Sequence, residues 1–288
     1  MNQPDRLFKF SVIGDPVEHS LSPLLFRALG NQLGLELTYN KIKIAKEDLP
    51  GFFHNLQQQI EDYDGVNITI PHKHDVLKLL EKADRTAKII QAVNCVKLTN
   101  AGVTGTNTDW IGFIENLKEG AVSVEGKQCV ILGAGGVARA VIYAISRSGV
   151  KELAIVNRTI ERAFRLSELI QAWDLNFDVS VHPLEDSQRL CLDSEVIINC
   201  TSVGMTPGID RSPIPVQFVQ KEHILIDTIY TPLETQFLKF GKLVHATVLN
   251  GLGMFIAQGI ASLEYWLGRT VRDQINVKLL RQEIIREL

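Results

Sequence analysis

Four cysteines in 288 residues, none at a metal-like spacing, leave this chain without a disulfide framework or a zinc site to fold around. Cys95, Cys129, Cys191 and Cys200 fall in or beside expected strands and read as small buried residues in a reducing compartment. No His-rich or carboxylate-rich ligand spacing appears, so no metal is expected. No uninterrupted apolar stretch reaches membrane-spanning length, and residues 1–6 lack the apolar run of a secretory signal. Charge of one sign is also missing: 30 Lys+Arg against 33 Asp+Glu give a net −3, without the basic footprint of a nucleic-acid binder. Repeats, low-complexity tracts and Pro/Ser-rich linkers are absent. The expectation is a cytoplasmic protein whose partner is a small molecule, with no nucleic-acid or membrane partner.

What is there is apolar and regularly patterned. Hydrophobic residues make up 45% of a chain that is long for one domain and comfortable for two. Strand and helix patterns alternate throughout, which specifies an α/β fold. The first half reads as strand 8–13, helix 23–33, strand 38–44, helix 48–59, strand 65–70, helix 73–80 and short strands at 93–98 and 103–105. A helical segment at 109–117 is the natural hinge into the second half. Strands then fall near 129–132, 153–156, 179–182, 196–199, 224–227 and 243–246. Helices at about 254–266 and 271–286 have no strand left to follow, so they are expected to return to the first domain. The division expected is residues 1–109 plus 252–288 for a substrate domain and 110–251 for a Rossmann-like domain.

The turn Gly133-Ala134-Gly135-Gly136-Val137-Ala138 follows an apolar strand and opens a helix, the order a dinucleotide phosphate needs. Gly133 permits the tight turn, Gly135 lets the backbone approach a pyrophosphate, and Ala138 fills the third small position. The next strand ends at Asn157, where NAD-binding versions carry an Asp or Glu for the ribose 2′-OH. Asn157 is neutral, and Arg158, Thr159 and Arg162 follow it, so two guanidinium groups could clamp a 2′-phosphate and the cofactor expected is NADP(H). The bland alternative is that Thr159 caps a helix and both arginines are solvated. Thr201, Ser202 and Met205, after a further strand, suit a nicotinamide pocket, and Tyr230 and the loop from Gly251 to Met254 are further candidates.

Three polar clusters mark strand ends in the first half. Ser20 and Ser22 can both face a hydroxylated or carboxylated ligand, although Ser22 also reads as a plain N-cap before Pro23. Asn67 and Thr69 would share one face of a buried strand, which is costly unless they serve a ligand. Lys73 follows, near the start of the expected helix, as a proton-transferring lysine or a snorkelling surface one. Asn94 and Asp109 form the third cluster, with Asp109 either capping the hinge helix or partnering Lys73. Gln258 is an isolated amide on an apolar helix face, or a helix-boundary polar residue.

In order along the chain stand G-D-P-V-E-H-S-L-S-P, G-V-N-I-T-I-P-H-K, A-V-N, G-T-N-T-D, G-A-G-G-V-A-R-A, N-R-T-I-E-R-A, N-C-T-S-V-G-M, D-T-I-Y-T-P and G-L-G-M-F-I-A-Q. In these nine blocks the chain resembles the shikimate dehydrogenases, quinate/shikimate enzymes included, over essentially its whole length. The resemblance implies reversible reduction of 3-dehydroshikimate to shikimate with NADP(H), in chorismate and aromatic amino-acid biosynthesis. It implies Lys73 and Asp109 as the catalytic pair, and Ser20, Ser22, Asn67, Thr69, Lys73, Asn94, Asp109, Tyr230 and Gln258 as the substrate site. Gly133, Ala134, Gly135, Gly136, Val137, Asn157, Arg158, Thr159, Arg162, Thr201, Ser202, Met205, Gly251 and Met254 are the cofactor residues it implies, with a homodimer as the assembly to test. Thr106, Trp110, Cys95 and Thr231 depart from the family's common pattern, where Asp, Gly, Thr and Asn are usual. Two rival readings stay open: an NAD-preferring quinate/shikimate dehydrogenase, and a non-catalytic relative that senses dinucleotide or substrate.

Overall fold

The computed structural model describes residues 6–58, 62–173 and 177–288. The chain divides into two compact units, residues 1–109 with 256–287 and residues 110–255.

The first unit opens with β1 (Phe8–Gly14), α1 (Ser22–Leu33), β2 (Leu37–Lys43), α2 (Leu49–Gln58) and β3 (Gly65–Ile68). β4 (Lys82–Ala83), α3 (Arg85–Ile90), β5 (Cys95–Thr99) and β6 (Gly102–Thr106) complete the sheet, in the order β2-β1-β3-β5-β6-β4. β1 runs parallel to β2 and β3, whereas β5 is antiparallel to both β3 and β6. The helices form because their apolar residues recur at helical spacing. Leu49, Phe53 and Leu56 put one stripe of α2 into the core, each no more than 2% exposed.

The second unit begins with α4 (Asp109–Glu119), whose first residue closes the first unit. It continues through β7 (Gln128–Leu132), α5 (Gly136–Arg147), β8 (Glu152–Val156), α6 (Ile160–Gln171), β9 (Asp178–His182), α7 (Ser187–Asp193), β10 (Val196–Asn199), β11 (Ile224–Asp227), α8 (Gln236–Leu243) and β12 (Thr247–Leu249). The sheet is wholly parallel, in the order β12-β11-β10-β7-β8-β9. Its central strands are buried on both faces, which is why residues 129–132 of β7 and 196–198 of β10 read as apolar runs. Strand order reverses between β7 and β10, so the loops after these strands flank the switch point where α/β sheets bind ligands. α9 (Leu252–Leu267) passes from the second unit to the first, and α10 (Val277–Arg286) ends the chain. Trp266 on α9 stacks on Phe10 with 4.2 Å between ring centres and donates its indole N–H to the Val96 carbonyl at 2.8 Å. Those contacts attach the end of α9 to the first sheet.

Four local expectations change. The helix expected at 73–80 is a turn with only a short 3₁₀ segment, Val76–Lys78, because the Lys73 carbonyl accepts from Val93 N at 2.7 Å instead of from the next helical turn. The strand expected at 243–246 is the end of α8 and its turn. The strand itself is β12, and His245 at φ +62° breaks the helix before it. α10 starts at Val277 rather than 271, because Glu264 Oε1 accepts from Val271 N at 2.8 Å and Arg272 N at 3.0 Å, leaving Asn276 to cap the helix. β4 and α3 were not anticipated, and residue 59, the expected end of the second helix, lies outside the described residues. Among the described residues, no helix is long and apolar enough to cross a membrane.

Candidate active site

In the first unit, the ends of β3, β5 and β6 and one face of α9 bring their polar residues into one network. Asn67, 7% exposed on β3, donates to the Asn94 carbonyl and to Ser262 Oγ, both at 3.1 Å, and accepts from the Tyr39 hydroxyl at 2.7 Å. Asn94 Oδ1 accepts from Thr108 N at 2.6 Å. Asn94 Nδ2 donates to Asp109 Oδ1 at 2.8 Å and lies 3.5 Å from Gln258 Oε1. Asp109 Oδ2 accepts from Lys73 Nζ at 2.7 Å. The two side chains are only 14% and 6% exposed, so Lys73 does not snorkel. Its turn is anchored on both sides, because buried His72 donates Nε2–H to the Ile44 carbonyl at 2.7 Å.

This arrangement can hold and move a proton. Asp109 takes one donor on each carboxylate oxygen, Lys73 Nζ on one and Asn94 Nδ2 on the other, which fixes the lysine head. An ammonium carries three N–H donors, so Lys73 keeps donors beyond the one engaged by Asp109. Asp109 does not cap α4. Its own backbone N–H donates to Asn107 Oδ1 at 3.0 Å, which leaves the carboxylate to Lys73 and Asn94.

Ser22 does not act as an N-cap either: α1 begins at Ser22, and the capping position, Leu21, makes no side-chain bond. Ser20 Oγ instead donates to Ser22 Oγ at 3.1 Å, so the two hydroxyls stand together. Thr69 follows β3 rather than lying in it, with its N–H donating to the Ile13 carbonyl at 2.9 Å. Tyr39 and Ser262 join this network without any local signal in the sequence, whereas Asn107 and Thr108 stand in the third polar cluster without a role of their own there. Only the polar character of Thr108 and Asn107, inside the G-T-N-T-D block, could have flagged any of them.

The second unit carries the other candidates. Gly133 has φ +109°, which L side chains rarely adopt, and its N–H donates to the Val156 carbonyl at 2.8 Å. A Cβ on Gly135 would meet nothing within 4 Å, so the turn faces open space where a phosphate would approach. Gly136 and Val137 begin α5, and Ala138 is fully buried where the helix packs on the sheet. Asn157 ties this turn to the start of α6, accepting from Ala134 N at 3.1 Å and donating to the Thr159 carbonyl at 2.7 Å. Arg158, Thr159 and Arg162 are exposed, and the Thr159 hydroxyl does not cap α6.

Thr201 Oγ1 donates to Asn199 Oδ1 at 2.7 Å and accepts from Val203 N at 3.1 Å, which shapes the loop carrying Ser202 and Met205, the latter 37% exposed. Tyr230 stacks on Phe255 with 4.3 Å between ring centres. Desolvation pushes its phenol up to about 12, so it is a neutral donor at neutral pH. Gly251 is buried, and Met254, 5% exposed, packs in the core of this unit.

Of the residues that depart from the common pattern, Thr106, Cys95 and Trp110 are accommodated, whereas the buried Thr231 hydroxyl has no hydrogen-bond partner among the described residues. The Thr106 hydroxyl donates to Asp84, Cys95 is buried with its thiol pushed up by desolvation, and Trp110 meets Tyr143 edge-on at 5.4 Å. Thr231 lends its carbonyl to Thr206 N at 3.5 Å. Among the described residues, no group of His, Cys, Asp or Glu could hold a metal ion.

Residues 12–96 match the family model of the shikimate dehydrogenase substrate binding domain, and residues 115–227 match that of shikimate/quinate 5-dehydrogenase. A shikimate dehydrogenase (NADP(+)) of Nitrosopumilus maritimus is 36% identical over 260 residues, covering 90% of this chain and 93% of its own. One from Staphylococcus haemolyticus is 35% identical over 282 residues, covering 97% and 98%. The solved shikimate 5-dehydrogenase of Thermus thermophilus, in complex with NADP(H) and shikimate, superposes with a TM-score of 0.84 at 32% identity, covering 98% of this chain and all of its own.

Proposed function

The chain belongs to the shikimate dehydrogenase family, and from that membership we propose that it catalyses the reversible, NADP-dependent reduction of 3-dehydroshikimate to shikimate. The observation that carries the reading is the Lys73–Asp109 pair, 2.7 Å apart, nearly desolvated and braced by Asn94. A sensor that had lost its chemistry would have no use for a buried ion pair held so closely.

Ser20, Ser22, Asn67, Thr69, Asn94, Tyr230 and Gln258 bind the hydroxyls and carboxylate of the substrate. In reduction, Lys73 delivers a proton to the oxygen developing at C3. In oxidation, the unprotonated Lys73 amine removes that proton. Asp109 aligns the lysine head with the substrate hydroxyl, so that proton transfer keeps one geometry through both directions. The bound nicotinamide supplies or accepts the hydride. Gly133, Ala134, Gly135, Gly136 and Val137 hold the pyrophosphate at the start of α5, and Asn157, Arg158, Thr159 and Arg162 receive the adenosine end. The open space before Gly135 and the lack of a carboxylate at position 157 suit NADP(H). Thr201, Ser202, Met205, Gly251 and Met254 belong to the nicotinamide end. The four free, buried cysteines suit a cytoplasmic protein.

A solved shikimate 5-dehydrogenase of Listeria monocytogenes, TM-score 0.84 at 28% identity, is in complex with shikimate and NAD, so the cofactor has to be tested directly. The test is steady-state oxidation of shikimate and of quinate, each with NADP and with NAD. The highest kcat/KM is expected for shikimate with NADP. A preference for quinate or for NAD sinks the corresponding half of the reading, and no turnover with any pair leaves the sensor.

A further inference from the structure

Two fully buried polar side chains face each other at the carboxyl ends of β10 and β11, and the mechanism above uses neither. Asn199 and Asp227 are register partners across these parallel strands, both 0% exposed, and Asn199 Nδ2 donates to Asp227 Oδ1 at 3.1 Å. Each then controls a loop. Asn199 Oδ1 accepts from Thr201 N at 3.0 Å and from Thr201 Oγ1 at 2.7 Å, and its Nδ2 also reaches the Val203 carbonyl at 3.2 Å. Asp227 accepts from Ile229 N at 3.0 Å and from Thr235 Oγ1 at 2.6 Å, clasping both ends of the loop that carries Tyr230.

The following loop is tied to this one. Gly251 N donates to the Ile229 carbonyl at 3.0 Å, and a Cβ on Gly251 would stand 2.3 Å from the Thr228 carbonyl oxygen, so no side chain fits there. Asn250 Nδ2 donates to the Leu233 carbonyl at 3.1 Å.

We propose that Asn199 and Asp227 are positioning residues that lock the loops after β10, β11 and β12 in one register and so set the nicotinamide end of the cofactor site. This rests on the functional reading above, and it adds a role for two residues that touch neither ligand.

The choice of a carboxylate supports a positioning role over simple packing. Burial pushes Asp227 up to about 6 despite its three donors, so an ionised form at neutral pH is held at a cost. An amide would be cheaper in the same space. Asp227→Asn keeps Oδ1 for Ile229 N and Asn199, and the new NH₂ can donate to Thr235 Oγ1, which has a lone pair beyond the one engaged by Leu238 N at 3.4 Å. What the amide cannot do is accept from all three donors. Only the carboxylate accepts the Thr235 proton; the amide reverses that bond and leaves the Thr235 proton without this acceptor at the far end of the Tyr230 loop.

The test uses the intact protein and four readouts. Asp227→Asn is expected to lower kcat for shikimate oxidation about tenfold, in the range a slight misplacement of reacting groups costs. It should weaken NADPH several-fold by fluorescence titration and leave 2′,5′-ADP, which lacks the nicotinamide half, bound as in wild type. Its melting temperature at pH 7 should be no lower than wild type. A structural role predicts the opposite pattern, with lost stability and with both nucleotides weakened together or not at all. Asn199→Asp sets two carboxylates against each other and should lower turnover more than Asp227→Asn does, and adding Asp227→Asn to it should restore part of the turnover. Wild-type kcat and NADPH affinity in Asp227→Asn would overturn the proposal, as would equal weakening of NADPH and 2′,5′-ADP. If the wild type does not oxidise shikimate, the functional reading fails by itself, and the two nucleotide affinities still decide this one.

Discussion

The two units solve the problem of holding a polar ligand in opposite ways. In the first, the side chains proposed to meet the substrate are themselves the buried network: Asn67, Asn94, Asp109 and Ser22 are at most 8% exposed, and Lys73 is nearly so. In the second, the residues proposed to gather the phosphates at the rim, Arg158, Thr159, Arg162 and Gly135, face solvent, while Gly251 and Met254 are buried. The buried polar pair, Asn199 with Asp227, lies behind its loops. The difference follows from what has to be done. Proton transfer needs donors and acceptors fixed in a dry place before the substrate arrives. A phosphate, by contrast, can be gathered by backbone N–H groups and flexible guanidinium groups that stay hydrated until it binds.

The largest way to break this contrast is at its first pole. Lys73→Ala should lower kcat by about 10²–10⁴, the usual range for losing a positioned acid/base. The KM for shikimate should change less, because Ser20, Ser22 and Gln258 remain. Steady-state kinetics decide it, and near-normal turnover removes Lys73 from the chemistry.

The buried carboxylate of the second unit sharpens the contrast through pH. The folded-state value of Asp227 is raised, from an ordinary 3.8 to about 6, so the stability linked to this group is fully present below about 4 and is lost as pH rises through 6. The loss is roughly 3 kcal/mol. Asp227→Asn removes that dependence. Denaturant melts of both proteins should therefore diverge in favour of the variant between pH 4 and pH 7, and parallel curves would show the carboxylate to be well solvated.

Smaller effects are expected at the exposed rim. Arg158→Ala should weaken NADP(H) about 10- to 150-fold, the worth of one charge-assisted contact, and leave NAD(H) nearly unchanged. Equal loss of both would mean that Arg158 does not read the 2′-phosphate. Thr159→Ala should be the mildest change. Its hydroxyl does not cap α6, so thermal stability should move by less than about 0.5 kcal/mol. A larger drop would expose a capping role that the geometry lacks.

Much of this molecule is legible in its sequence because the relevant signals are local. The α/β class follows from alternating periodicities, and the Gly133 turn from glycines placed between an apolar strand and the helix they open. Where the sequence misleads, a distant residue intervenes. Residues 73–80 have a plausible helical pattern, but Val93 takes the Lys73 carbonyl. Residues 271–276 look like the start of an α-helix, but Glu264 takes the N–H groups of Val271 and Arg272, and only a 3₁₀ turn, Arg272–Gln274, forms before α10. Ser22 and Asp109 both look like caps, yet neither has that bond in the fold.

The sequence by itself determined the class of fold, the glycine turn, the absence of a carboxylate after β8 and the polar residues at strand ends. These depend mainly on residue type and on neighbours a few positions away. Only the tertiary structure decided which polar groups meet. It brings Lys73 to Asp109 across 36 positions, Asn67 to Ser262 across 195, and Asn199 to Asp227 across 28. Hydrogen bonds of this kind act over about 3 Å, and sheet register and helix packing set which residues come that close.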